Sequence, residues 1–226
     1  MDSSIKLSCF ICCIAILFMF AGCGVKTEDL AKNSLSEIHN NYFVGQTQNF
    51  NISLWSGQRE EPYVIDGKKE NLVDFCVISV VPKTNVSTFG LSYTVEINEE
   101  TYNGEFENSP FDSSMASDLK IKVCDTDTIF LYLIANGETE IGKLECISCS
   151  FGIKQTDAIN KAIEHLKDKI VDLSDNGKKN IEGTCKIIST DKNLGVYFWF
   201  INFINSDGEQ IAVVLDINNG EIITEK

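Results

Sequence analysis

The chain has 226 residues, 33 acidic and 19 basic, giving a net charge of −14, and 43% of its residues are hydrophobic. That apolar fraction suffices for a packed core and excludes wholesale disorder. The acidic balance excludes a general nucleic-acid binder and electrostatic docking on anionic lipid, both of which need a basic surface.

The N-terminus is short and polar, with Lys6 its one basic residue, and Leu7 to Phe20 then runs almost without polar side chains. Small residues close the run at Ala21-Gly22-Cys23-Gly24. A charged start, an apolar stretch of about 14 residues and a small-residue end make a secretory signal, too short to span a membrane. Phe20-Ala21-Gly22-Cys23 resembles the lipobox of bacterial lipoproteins. The resemblance implies cleavage after residue 22, acylation of the Cys23 thiol, and a chain held by lipid at the extracytoplasmic face of the cell membrane.

Of nine cysteines, Cys76, Cys124, Cys146, Cys149 and Cys185 then remain without lipid. An odd number cannot pair completely within one chain. Cys146 and Cys149 form a lone C-x-x-C, without the second pair that a zinc site needs and without the βαβ setting of a redox motif. Cys76, Cys124 and Cys146 are read as small core residues in strands.

Residues 23–45 are polar and are read as a tether. From 46 to 150 the pattern is strand-like. Phe50, Ile52 and Leu54 alternate with polar residues, Leu72 to Val81 is almost continuously apolar, and Leu91 to Ile97 alternates again. Leu119, Ile121 and Val123 form another alternating run, followed by Ile129–Ile134 and Ile141–Ile147. Period-two alternation marks half-buried strands, and Asp66-Gly67, Asn103-Gly104 and Asn136-Gly137 read as turns. About seven strands without a helix predict an all-β sandwich. In architecture this segment resembles the immunoglobulin-like modules of bacterial surface proteins.

At about 151 the period changes. Thr156 can cap a helix whose apolar stripe is Ile159, Ile163, Leu166, Ile170 and Leu173, with Gly177 as its stop. Strands follow at Thr184–Ser189, Gly195–Ile204, Gln210–Ile217 and Glu221–Thr224. The expected class is α+β: a sandwich, then a small helix-plus-antiparallel-meander domain over 151–226. Asp216-Ile217-Asn218-Asn219-Gly220-Glu221-Ile222 after an aromatic strand resembles the end of PepSY-type domains, with Asp216, Gly220 and Ile222 in the motif positions. The resemblance implies a non-catalytic module, of a family proposed to inhibit or regulate peptidases.

No catalytic, phosphate-binding or calcium-loop signature is present, so no catalytic, metal or cofactor residue is assigned. His165 falls off the helix stripe and reads as solvated; His39 falls in the tether without held geometry. Glu60-Glu61, Glu99-Glu100 and Asp125 with Asp127 are the acidic clusters. The stretch Ser56–Asn71, with Trp55 before it and Pro62 and Tyr63 within it, is the most unusual loop, read as a crossover with Tyr63-Val64-Ile65 as a small strand. The reading is a non-enzymatic binding or regulatory protein without cofactor, anchored through its N-terminal lipid. One alternative is a hydrolase with a scattered acidic site; another is a regulator of an envelope peptidase, with that peptidase or another envelope protein as partner.

Overall fold

The computed structural model describes residues 26–226 apart from 84, 85, 87, 111, 112 and 190–194. The expected signal and Cys23 lie outside the described residues. Among these, a short helix α1 (Thr27–Asn33) leads into β1 (Leu35–Gln46), β2 (Phe50–Glu60) and β3 (Leu72–Pro82). Then come β4 (Ser92–Ile97), β5 (Glu100–Glu105), β6 (Glu107–Asn108), β7 (Met115–Leu119), β8 (Thr128–Ala135) and β9 (Glu138–Cys146). A 3-10 turn at Ser148–Ser150 precedes α2 (Gln155–His165) and α3 (Lys167–Leu173). The chain closes with β10 (Ile181–Ser189), β11 (Tyr197–Asn205), β12 (Gln210–Asp216) and β13 (Ile222–Glu225). Among the described residues the fold is mostly antiparallel β-sheet with three short α-helices, in keeping with the α+β class.

Strand β1 organises the sheet. From Glu37 to Gln46 it pairs antiparallel with β2, while its other edge is divided. Leu35–Ile38 pairs in parallel with β10, and Phe43–Gln46 pairs antiparallel with β9. One hydrogen-bonded path therefore runs β13-β12-β11-β10-β1-β2-β3-β7-β6, with β9, β8, β4 and β5 branching from β1.

Two cores result. In the first, Phe43, Phe50, Leu54 and Ile78 pack against Tyr93, Val95, Leu131 and Leu144. In the second, the helix stripe Ile159, Ile163, Leu166, Ile170 and Leu173 covers one face of β10–β12 through Cys185, Trp199, Ile201, Phe203 and Val213. Burial of each large aliphatic chain contributes about 1.5–3 kcal/mol. The stripe is buried as its spacing predicts, but the helix breaks at Leu166 into α2 and α3. It also begins two residues earlier than read, with Lys154 at the N-cap and no side-chain cap, so Thr156 lies inside the first turn.

Residues 27–46 depart from the expected tether. Ala31 and Leu35 join the second core and Phe43 joins the first. The boundary placed at residue 46 therefore falls at the end of a strand that serves both cores. The run Leu119–Val123 also departs: β7 stops at Leu119, and Ile121 and Val123 follow outside the ladder. Asn98 holds that segment instead, donating through Nδ2 to Lys122 O at 2.6 Å and accepting Cys124 N–H through Oδ1 at 2.9 Å. Asn98 and Glu99, at φ 54° and 66°, also make the β4–β5 turn. The expected turn at Asn103-Gly104 lies inside β5, where the Tyr93 ring fills the space beside Gly104. Asn136-Gly137 does turn, between β8 and β9.

Candidate functional site: an aromatic groove backed by a buried charge network

In β1 the alternation is interrupted by a bulge at Asn40. His39 lies opposite Gly57 and Tyr42 opposite Trp55, so the bulge brings His39 and Tyr42 onto one face of the sheet. Gly57 permits this approach, since a Cβ there would stand 1.8 Å from Ile38 O. The Trp55 ring stacks on Tyr42 (centroids 6.2 Å apart, 13° between planes) and packs on its other neighbour, His39, at 6.5 Å. Tyr42 meets Tyr197 of β11 at 5.5 Å.

The rings of Tyr42, Trp55 and Tyr197 line an open groove of about 700 Å³ across β1, β2, β3 and the start of β11. Gln46, Asn51, Ser53, Ser79, Ser114 and Ser189 supply amides and hydroxyls. Among the described residues no carboxylate, ammonium or guanidinium lines it.

Behind Trp55 lies a buried network. Glu37 and His39 are each 5% exposed. His39 Nδ1 accepts the Ile187 N–H at 3.3 Å, so the ring proton sits on Nε2 and is donated to Glu37 Oε1 at 2.8 Å. Burial holds the His39 pKa below its ordinary value, which keeps the ring neutral. Burial opposes the Glu37 carboxylate too, but the hydrogen bonds from His39 and Lys186 and the Lys186 charge outweigh it and hold its pKa at about 2. Lys186 Nζ lies 2.5 Å from Glu37 Oε2, which also accepts the Tyr63 hydroxyl. Burial and the neighbouring Glu37 push the Tyr63 pKa upward. Arg59 caps the Tyr63 ring at 5.5 Å and pairs with Asp118.

Two more buried acids complete the framework. Glu182 Oε2 accepts Asp66 N–H and Gly67 N–H, each at 2.9 Å, while Ser36 Oγ donates to Oε1 at 2.5 Å. Glu60 accepts Glu70 N–H at 2.9 Å and Val64 N–H at 3.4 Å. Glu37, Glu60 and Glu182 thus fasten the 61–71 loop from three strands. The loop is a hairpin connection between β2 and β3, and Tyr63-Val64-Ile65 is irregular rather than the small strand expected. Val64 and Ile65 stay 52% and 43% exposed at its outer side.

The acids singled out from sequence do not converge. Glu60 serves the loop and Glu61 pairs with Lys120. Glu100 accepts the Tyr102 hydroxyl at 2.6 Å. Asp125 and Asp127 line a second cleft with Lys122, Cys149 and Lys154. Among the described residues no group of three or more His, Cys, Asp or Glu is placed to hold a metal. His165 is a half-exposed helix residue, 2.8 Å from Glu225 Oε2. His39, expected to lack held geometry, is bonded at both ring nitrogens. Of the cysteines read as core, Cys76 is buried, Cys124 is exposed, and Cys146 forms a disulfide with Cys149. Cys146 ends β9 and Cys149 sits in the 3-10 turn just beyond it, which brings residues three apart within bridging distance.

Sequence reasoning missed Glu37, Glu182, Lys186 and Tyr42. The available signal was the apolar Ile38, Tyr42, Phe43 and Val44 in an otherwise polar stretch, with its period broken by the bulge at Asn40.

No family model matches the chain. No curated protein matches it, and neither does any solved structure.

Proposed function

We propose that this chain is a non-enzymatic binding protein, exported and held at the cell membrane by lipid on Cys23, whose binding surface is the groove around Tyr42, Trp55 and Tyr197. The observation that carries the reading is the lining: among the described residues, three aromatic rings and six amide or hydroxyl side chains without a formal charge. Such a surface suits a neutral, polyhydroxylated ligand such as an uncharged oligosaccharide. Ring faces cover its apolar C–H patches, and amides and hydroxyls satisfy its hydroxyl groups. An anionic ligand would be desolvated there without a counter-ion.

The test is calorimetric titration of neutral and anionic oligosaccharides into wild type and Trp55→Ala. Binding of neutral sugars that falls about thirtyfold in Trp55→Ala, an anchor loss of roughly 2 kcal/mol, supports the reading. Preference for anionic sugars, or affinity indifferent to Trp55, overturns it. Anchoring is tested separately by detergent-phase partitioning of wild type against Cys23→Ala, where identical behaviour with the signal still attached overturns the lipid anchor.

Residues 46–150 we read as a sandwich, supported by the enclosure of one core between β2–β3 and β4–β8. Residues 151–226 we read as PepSY-like. Asp216 Oδ1 accepts Asn218 and Asn219 N–H at 2.7 and 3.2 Å, and Gly220 stands at φ +73°, the roles the motif implies. That arrangement favours the second reading, a regulator of an envelope peptidase. A pull-down with and without residues 152–226 tests it, and an unchanged partner profile overturns it.

A further inference from the structure

Three described cysteines are free, and they differ sharply. Cys76 and Cys185 are fully buried, and burial pushes the Cys76 thiol up to about 12 and that of Cys185 higher still. Neither is a thiolate available to a reagent. Cys124 is exposed and lines an open cleft of about 770 Å³ together with Cys149, the exposed sulfur of the disulfide.

The cleft is held in place from both sides. Asn98 fixes Lys122 O and Cys124 N–H, and Cys146 N–H donates to Asp127 O at 3.0 Å. Residues 124–127 therefore lie alongside the disulfide, and Thr126 O is 4.0 Å from Cys149 Sγ. Lys122 and Lys154 bring two ammonium groups to the cleft and Asp125 and Asp127 two carboxylates, so it carries no net charge. Lys154 Nζ reaches Cys149 O at 3.3 Å.

The other sulfur of the bridge has a hydrogen-bond donor of its own. Ser148 Oγ accepts the Tyr42 N–H at 2.9 Å and lies 3.5 Å from Cys146 Sγ. A bridged sulfur has no proton to give, so the Ser148 hydroxyl is the donor in that contact, and it points at the sulfur that would leave if Cys149 were attacked.

We propose that this cleft is a thiol–disulfide exchange site in which Cys124 is the internal thiol for the Cys146–Cys149 disulfide. The Cys124 thiol gives its proton to solvent, and its thiolate attacks Cys149 Sγ in line with the bridge. The Cys124–Cys149 bond forms as the Cys149–Cys146 bond breaks. The electron pair leaves on Cys146 Sγ, which takes the Ser148 hydrogen bond and then a proton from solvent. One disulfide and one thiol exist before and after, so no oxidant or reductant is consumed. The exchange also frees Cys146 at the end of β9 and ties the turn, whose Ile147 N–H and Ser148 Oγ clamp the Tyr42 backbone, to Cys124 instead, coupling the cleft to the groove.

The test is disulfide mapping by mass spectrometry on the full chain, held at mildly alkaline pH without added thiol, then acid-quenched, alkylated and digested with pepsin. Two linkage isomers are expected: Cys146–Cys149 with alkylated Cys124, and Cys124–Cys149 with alkylated Cys146. Cys124→Ser should show the first linkage alone. Ser148→Ala should slow the approach to the isomer mixture about tenfold, the worth of one hydrogen bond to a developing anion, and Ser148→Thr should restore it. Alkylation confined to Cys124, with Cys146–Cys149 the single linkage in wild type, overturns the proposal, as does an exchange rate indifferent to Ser148.

Discussion

His39 donates its Nε2 proton to Glu37 across 2.8 Å, two residues away along β1. The pair is fixed because the other ring nitrogen takes the Ile187 N–H of β10. A neutral donor and an anionic acceptor are thereby locked at the one place where the two cores share a parallel pair of strands. Lys186 supplies the compensating charge, which a buried carboxylate needs to remain ionised.

This pair makes stability depend on acid. The Glu37 pKa is depressed from 4.5 to about 2, so its contribution is full above the unfolded value and is lost as pH falls from about 4.5 to about 2. A shift of this size corresponds to roughly 3 kcal/mol. The neutral His39 adds a loss that begins earlier, as the unfolded histidine gains its proton near pH ~6.5. Urea unfolding across pH should show both. Glu37→Gln should lower stability at neutral pH by about 3 kcal/mol and flatten the lower part of the curve. An unchanged acid limb in that variant would contradict the assignment.

Glu182 is fully buried and accepts two adjacent loop amides. Glu182→Gln retains the shape and replaces one carboxyl oxygen by a donor. Hydrogen exchange at Asp66 and Gly67 should accelerate about ten- to a hundredfold, equivalent to roughly 1.5–3 kcal/mol of local opening. Strands β4 and β8 should keep wild-type protection. Uniform acceleration across the chain would show a global effect instead.

Gly57 faces Ile38 O so closely that any side chain must separate β1 from β2. Gly57→Ala should cost about 3 kcal/mol or more, read as a lowered thermal midpoint. Gly137→Ala provides the contrast. It strains a positive φ but has open space around it, and should cost only about 1 kcal/mol.

Asn98 both turns the chain and holds residues 122–124. Asn98→Gly keeps the turn and removes the hook. It should cost about 1–2 kcal/mol and raise the alkylation rate of Cys124 severalfold. Equal alkylation rates would mean the segment is held by something other than Asn98.

Where the signal was periodic, the elements were legible. Ile159 to Leu173 spelled a helix stripe and all five positions are buried, even though the helix breaks in two. The aromatic strand around Trp199 and the turn at Asp216–Gly220 were legible for the same reason: local spacing and turn chemistry act within a few residues. The tether reading failed because β1 is a strand whose partners lie elsewhere in the chain. Glu37 and His39 look like solvated residues until Lys186 and Ile187, nearly 150 positions away, surround them.

The sequence by itself determined the signal-like start, the acidic charge, the strand-rich middle and the amphipathic helix with its meander. These follow from composition and from side-chain period, which a chain displays without folding. Only the tertiary structure decided that β1 joins both cores, that three buried acids fasten the 61–71 loop, and that Tyr42, Trp55 and Tyr197 share one groove. Those outcomes rest on a bulge, a parallel pairing and long-range hydrogen bonds. Each joins residues whose separation along the chain carries no period to read.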